Sequence, residues 1–384
     1  MKGISLILVL TMLLYLLPAG AGAAELEIAG KSAVLMDVAT GTVLTEQNPH
    51  ERLSPASVTK VMTMLLIMEA IDSGKIAMTD QVTASENAAA KGGSQVYLKV
   101  GETMSVSDML KSIAVSSAND CACAMAEFIA GSEAAFVDLM NQRAQELGMK
   151  DTNFVNCTGL DDSPEAENHK TSAYDIALMS RQLLKYHPKI KEFTTIWMDT
   201  VRNGAFGLSN TNKMVRFYDG CTGLKTGFTS GAGYCLSASA QRNGLELIAV
   251  VMGAETSADR FAACKGLLDY GFSNFALYEP VVQEGATVPV TLGKSPVVGA
   301  IPKEEAQLLV DKSQVNSIVT EVTLSESAKA PIAAGDVLGT MTIKTESQVL
   351  KEIPLVADSN VDRLTWGDLT VLILRQIAMA KSPS

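Results

Sequence analysis

Aromatic residues make up only 5% of the 384-residue chain, histidine occurs three times, and no cluster of lysine or arginine relieves a net charge of −11. Without clustered cations the chain is a poor candidate for nucleic-acid binding, because that affinity comes from neutralising phosphates. His50, His169 and His187 are scattered, and neither a Cys-x-x-Cys pair nor a His-Glu-x-x-His helix occurs, so no zinc site is expected. Past residue 24 no apolar run reaches the ~20 residues that a membrane span needs. No internal repeat is evident either. What remains is a globular composition, 47% hydrophobic and 19% charged, long enough for two or three domains whose cores need no disulfide scaffold.

The chain begins with a recognisable pattern. Lys2 is the only charge before Glu25, Ile4 to Leu17 is apolar except for Ser5 and Thr11, and Pro18 precedes the small residues 19–24. Residues 1–23 are expected to be a secretory signal peptide cleaved after Ala23, rather than an uncleaved anchor. The mature protein is then expected outside the cytoplasm, where cysteines can pair but need not. Six are present, at 121, 123, 157, 221, 235 and 264, and the sequence selects no connectivity. Cys121 and Cys123 sit two apart in a helical pattern and do not face each other.

Periodicity suggests an α+β organisation. Ala33 to Asp37 and Thr42 to Thr45 read as a hairpin, followed by a helix from about Ala56 to Ser73 that Gly74 stops. Four further helices are expected over Ser105 to Ala114, Asn119 to Ala130, Glu133 to Leu147 and Thr171 to Tyr186. Three strand-like runs follow, Gly223 to Phe228, Gly233 to Ala240 and Leu245 to Val251, and then a helix over Ser257 to Phe272. Short turns between the strands indicate an antiparallel meander. From residue 279 the composition shifts to Val, Thr, Pro and Gly, which suggests a small all-β domain over 279–358. A helix is expected over Val361 to Lys381.

Three short motifs carry the chemistry. Ser57-Val58-Thr59-Lys60 places a hydroxyl and an amine one helical turn apart, so a lysine of lowered pKa can serve as base for a serine nucleophile. Alone this is weak, since about one or two such matches arise by chance in a chain of this composition. Ser117-Ala118-Asn119 falls in a break between helices, where a hydroxyl can relay a proton and an amide can bind a peptide group. Lys225-Thr226-Gly227 lies in a strand, where a cation and a hydroxyl can hold a carboxylate and glycine permits close approach. Leu224 stands where a phosphate loop would need glycine, which excludes that motif. Each triplet also has an ordinary structural explanation, as a helix cap, a turn or an exposed strand lysine.

Taken together in this order, the motifs resemble those of penicillin-binding proteins and class A β-lactamases. The fuller stretches, residues 55–63, 116–120, 169–175, 223–229 and 232–236, resemble the serine-type D-alanyl-D-alanine carboxypeptidases, which are low-molecular-mass penicillin-binding proteins. The resemblance covers about residues 31–275. It implies a β-lactamase/transpeptidase-like catalytic domain over 24–278, an antiparallel sheet with a helical subdomain, followed by the β-domain and an amphipathic helix over 359–384. It also implies roles. Ser57 is the nucleophile, Lys60 its base, and Ser117 the proton relay to the departing D-alanine. Asn119 binds the substrate peptide and helps hold Lys60, and Lys225, Thr226 and Gly227 form the carboxylate site. The backbone N–H groups of Ser57 and Phe228 form the oxyanion hole. The partners implied are the peptidoglycan stem peptide and, as covalent inhibitors, β-lactams; no cofactor or metal is implied.

Departures from the family pattern are small. Ala118 replaces a glycine that many members carry, and the two cysteines after Asn119 are unusual beside an active cleft. His169 is expected to be structural. A β-lactamase would need a deacylating glutamate, and Glu165-Ala166-Glu167-Asn168 is one residue too short for the usual spacing. The same motifs would serve an endopeptidase of wall crosslinks, whereas a non-catalytic wall-binding scaffold would have no need to keep all three intact. In the last helix Leu364, Val371, Leu374 and Ala378, with Ile377, form an apolar stripe flanked by Trp366, Arg363, Arg375 and Lys381. Its longest apolar run, Val371 to Leu374, is too short to span, so the helix is expected to lie on the outer face of the cytoplasmic membrane.

Overall fold

The computed structural model describes residues 28–280 and 285–380, so the expected signal peptide lies outside the described residues. The catalytic half is organised by one five-stranded antiparallel sheet. Its strands are β1 (Ser32–Asp37), β2 (Val43–Gln47), β3 (Cys221–Thr229), β4 (Gly233–Arg242) and β5 (Leu245–Ala254), in the order β2-β1-β5-β4-β3. Strand alternation sorts the central residues onto two cores. Val34, Met36, Ile248, Val250 and Met252 face a helical layer, whereas Ala33, Leu35, Leu247, Ala249 and Val251 face a second core, built largely on one long helix, on the other side. Because both faces are covered, β5 is buried at nearly every position and reads as a continuous apolar run rather than an alternating one.

The helical layer contains α1 (Lys60–Asp72), α2 (Val106–Ser116), α3 (Asn119–Ala130), α4 (Glu133–Glu146) and α5 (Ala173–Tyr186). Serine caps fix three of their starts: Ser105, Ser132 and Ser172 accept the N–H groups of Asp108, Ala135 and Asp175. The helix across the sheet, α6 (Ser257–Asn274), begins with a reciprocal capping box between Thr256 and Asp259. The first long helix differs from expectation. Residues Ala56–Thr59 form a 3-10 turn and the α-helix starts only at Lys60.

The chain leaves α6 through a strand, Phe275–Tyr278, that pairs with Leu308–Asp311, and Lys185 reaches Glu305 at 2.6 Å across the junction. Beyond it a six-stranded sheet closes over its own core of Val288, Val298, Leu338, Met341, Ile353 and Leu355. Residues 361–364 belong to this layer, because Val361 bridges Ile332, Arg363 bridges Gly293, and the Leu364 N–H donates to the Leu292 carbonyl. The terminal helix α7 (Trp366–Ala380) therefore starts five residues later than Val361, behind a Thr365–Asp368 capping pair. Among the described residues no helix is long and apolar enough to cross a membrane.

Candidate active site

The 3-10 turn at Ala56–Thr59 is pressed between two backbone segments that leave no room for side chains. A Cβ on Gly227 would lie 2.6 Å from the Pro55 carbonyl and 3.1 Å from the Ser57 nitrogen, so glycine lets strand β3 pass directly beside Ser57. On the other flank Gly159, at φ +80°, sits so close that a Cβ would fall 1.8 Å from the Ala56 carbonyl oxygen. His169 closes the back of the turn. Its Nδ1 accepts the Val155 N–H at 3.1 Å, which leaves the proton on Nε2 to donate to Thr59 Oγ1 at 2.8 Å. Burial, with Lys170 and Lys60 nearby, holds this imidazole down to about 4, so it is neutral and structural.

One helical turn on, the Lys60 ammonium is fully buried, 3.0 Å from Ser57 Oγ and 2.8 Å from the Thr158 carbonyl oxygen. Burial lowers its pKa to about 7 from 10.5, against the opposing pull of Cys157 and Asp120. Across the cleft α2 ends at Ser117 in the left-handed conformation, φ 63° and ψ 27°, and α3 begins two residues later at Asn119. Ser117 Oγ and Asn119 Oδ1 are both buried without a hydrogen-bond partner among the described residues, and such atoms mark a place for a polar ligand. The expected contact between Asn119 and Lys60 is not made: the Asn119 amide donates to the Gly92 carbonyl at 2.8 Å, and Thr158 supplies the oxygen for Lys60.

Strand β3 forms the third wall. As the edge strand it has one side without a strand partner, and that side runs past Ser57. Lys225 is buried with its ammonium on the Thr226 carbonyl at 3.0 Å, and burial, then Lys60 and Arg260, push it well below the ordinary lysine value. Thr226 Oγ1 donates to Thr211 Oγ1 at 2.7 Å, and the Thr211 N–H donates to the Val115 carbonyl just before Ser117. Thr211 thus ties the third motif to the end of the helix that leads into the second. Phe228 is half exposed at the rim, stacked on Tyr234 at 4.3 Å. The structure thus brings Ser57, Lys60, Ser117, Asn119, Lys225, Thr226 and Gly227 around one cleft. Among the described residues no cluster suited to a metal ion occurs.

Comparison with known proteins agrees with this geometry. Residues 19–256 match the D-alanyl-D-alanine carboxypeptidase model of family Peptidase S11, and residues 276–363 match the penicillin-binding protein 5 C-terminal domain. The chain is 44% identical to D-alanyl-D-alanine carboxypeptidase DacF of Bacillus subtilis over 91% of its own length and 92% of that protein's. The chain belongs to the Peptidase S11 family, the D-alanyl-D-alanine carboxypeptidases. Penicillin-binding protein 5 of Haemophilus influenzae superposes with a TM-score of 0.74 at 31% identity, covering 88% of this chain and 98% of that one. An ampicillin-bound form of penicillin-binding protein D2 from Listeria monocytogenes, 32% identical, superposes with a TM-score of 0.59 over 64% of this chain and 99% of that one.

Within this carboxypeptidase several contributors escape a motif search. Asn156 Oδ1 accepts the N–H groups of Thr158 and Gly159 and so folds the loop whose Thr158 carbonyl holds Lys60. Asp120 accepts the N–H groups of Val96 and Leu98, fixing the segment whose Gly92 carbonyl holds Asn119. Asp120 at least adjoins a motif, whereas the Asn156 to Gly159 loop carries no spacing signal. All six cysteines are unpaired thiols; Cys121 and Cys123 are buried, which removes the question of a reactive thiol at the cleft surface. Glu165 and Glu167 are exposed, as expected of solvated loop carboxylates.

Proposed function

We propose that this carboxypeptidase removes the terminal D-alanine of peptidoglycan stem pentapeptides through an acyl-enzyme on Ser57. Neutral Lys60 takes the serine proton as Ser57 Oγ attacks the carbonyl of the penultimate residue. The N–H groups of Ser57 and Phe228 receive the developing oxyanion, and fixed donors of this kind contribute about 3–4 kcal/mol each to the transition state. Ser117 passes a proton to the departing amine as the C–N bond breaks. Asn119 binds the substrate peptide group, and Lys225 with Thr226 holds the terminal carboxylate where Gly227 lets it approach. Water then hydrolyses the ester and frees Ser57. The scheme uses no cofactor or metal. A β-lactam offers its strained amide to the same nucleophile and leaves a slowly hydrolysed ester.

The observation that carries this reading is the 3.0 Å contact between Ser57 and a buried lysine whose pKa is about 7. Intact mass after incubation with a penicillin, paired with a D-alanine release assay on a pentapeptide, tests it. Wild type should gain one penicillin and release D-alanine; folded Ser57→Ala should do neither. An adduct that persists in the variant would mean that another residue is the nucleophile.

The peptidoglycan substrate implies extracytoplasmic work, and residues 1–23 supply the export signal in this reading. Helix α7 serves as the attachment to the membrane surface. What supports this is exposure: Trp366, Val371, Leu372, Ile373, Leu374 and Ile377 all face solvent, so the chain's own β-domain does not cover them. A truncation after Thr365 keeps Val361 in the β-domain core and should leave an active enzyme that no longer sediments with vesicles of anionic lipid. Sedimentation of the truncated enzyme at the level of the full chain would overturn the attachment.

A further inference from the structure

Arg260 lies behind the cleft on α6 and touches none of the reacting positions, yet its environment is unusual for a guanidinium. It is 7% exposed, and among the described residues its Nε is buried without a hydrogen-bond partner and its three hydrogen bonds go to neutral oxygens. Nη1 donates to the Gly227 carbonyl at 2.8 Å and the Cys235 carbonyl at 3.3 Å, and Nη2 to Ser257 Oγ at 3.4 Å. The Tyr234 and Phe261 rings lie 5.2 and 4.9 Å from the guanidinium carbon. A buried cation that faces carbonyls and aromatic rings instead of a carboxylate is costly to maintain, and none of its hydrogen bonds neutralises it.

The Gly227 carbonyl belongs to the same peptide unit as the Phe228 N–H. In a planar trans peptide these two groups point in opposite directions. Gly227 stands opposite Cys235 in the β3–β4 ladder, and Arg260 gathers both carbonyls on the inner side of the strand. The Phe228 N–H is then left on the free edge beside Ser57. A cation on the carbonyl oxygen draws electron density through the peptide, strengthens the N–H as a donor and fixes its direction.

We propose that Arg260 is a positioning residue of the oxyanion hole, acting through the Gly227–Phe228 peptide rather than on the substrate. The inference rests on the reading that the Phe228 N–H receives the oxyanion. It places Arg260 in the transition state alone, because the carbonyl oxygen gains full charge only there. Arg260 therefore acts mainly on kcat, while Lys225 and Thr226 make the contacts to the carboxylate.

The test compares wild type with Arg260→Gln and Arg260→Lys, each checked for a cooperative melt. Removing an oxyanion donor outright costs about 100- to 1,000-fold, so weakening one should cost about tenfold. Arg260→Gln should lower kcat on a D-alanyl-D-alanine peptide and the acylation rate by a penicillin by about that factor, with KM no higher, because loss of the guanidinium also favours the Lys225 ammonium. Affinity for a peptide boronic acid, whose serine adduct carries the tetrahedral oxyanion, should fall in parallel, and Arg260→Lys should recover part of both. Unchanged kcat in a folded Arg260→Gln variant, or a loss confined to KM, overturns the inference. A structure of the wild-type boronate adduct separates the two layers. A boronate oxygen within hydrogen-bond distance of the Phe228 nitrogen supports the oxyanion reading, so that an inert Arg260→Gln then counts against Arg260 alone. An oxygen placed elsewhere overturns the oxyanion reading itself, and Arg260's role with it.

Discussion

On the flank of the helical layer Lys91 meets Glu133 at 2.6 Å, and Lys111 lies 3.2 and 3.1 Å from Asp108 and Asp199; in the cleft Lys60 and Lys225 meet only hydroxyl and carbonyl oxygens. Burial works against the charge in both regions. For Lys91 and Lys111 burial is the largest single influence, but hydrogen bonds to carboxylates and the attraction of nearby negative charge together outweigh it and hold the ammonium above the ordinary value. For Lys60 burial wins and the pKa falls to about 7. The two regions use the same side chain, and its depth of burial together with a hydrogen-bonded carboxylate decides which way its pKa moves. Burial without a hydrogen-bonded carboxylate lowers both cleft lysines, and the Ser57 hydroxyl beside Lys60 is what gives that one a proton to take.

The strongest way to break this comparison is to keep the charge and remove the base. Lys60→Arg retains a cation at the turn but cannot deprotonate near neutrality. If Lys60 works as a base, penicillin acylation measured by intact mass should fall about 1,000-fold, within the usual range for losing general-base catalysis. Retention of a tenth of the activity would mean that Lys60 acts through its charge.

The same comparison fixes a pH profile. With the Lys60 pKa at about 7, acylation should rise with pH through neutrality and level off above it, and fall about tenfold per unit below. At pH 5 the second-order acylation rate should be about 100-fold under its plateau, at a pH where the melt shows the enzyme folded. A rate that keeps climbing to pH 9 or 10 would be the signature of an ordinary lysine and would remove the cleft from its special category.

A third test sharpens the role of Lys225. In the unliganded cleft burial, Lys60 and Arg260 all disfavour its charge. An arriving carboxylate supplies the missing partner and so favours the charged ammonium. Lys225→Gln should raise KM for a carboxylate-terminated peptide roughly 10- to 100-fold, the equivalent of a charged hydrogen bond of about 1.5–3 kcal/mol. Wild type should discriminate against the C-terminal amide by a similar factor, and equal turnover of acid and amide would show that Lys225 reads no charge.

The comparison also explains which parts of the site could be read from sequence. Ser57 and Lys60, like Ser117 and Asn119, are close in the chain, so helical and loop spacing brings each pair together before any tertiary contact is known. The order of the three motifs then carries the family resemblance, and with it the α+β architecture. The partners that set Lys60's pKa carry no such signal. Thr158 contributes a backbone carbonyl, which any residue has, and its neighbour Gly159 matters for a missing Cβ that only the packed turn at Ala56 makes necessary. Arg260 reaches Gly227 from 33 residues away across the sheet. Local pattern likewise runs the last helix back to Val361, because strand pairing to Ile332 is invisible to helical periodicity.

The smallest effect is expected on the outer flank, and it is the control for the rest. Lys91→Met removes the 2.6 Å partner of Glu133, but that carboxylate keeps the Asn87 amide and the Cys157 thiol as donors. The loss of stability should be about 1 kcal/mol at pH 7, at the upper end for partly exposed pairs, read from urea unfolding. Burial raises the Glu133 pKa, but Lys91 and its other donors lower it more, leaving it below 4.5. The unfolded chain therefore binds the proton first, and the pair's stabilisation, complete above the ordinary glutamate value, is lost as pH falls through the folded pKa. The gap between wild type and Lys91→Met should accordingly narrow in acid. Penicillin acylation should stay within about twofold of wild type throughout, because neither member of the pair makes a hydrogen bond to Lys60. A tenfold loss of acylation in this variant would tie flank and cleft into one electrostatic unit and end the distinction between them.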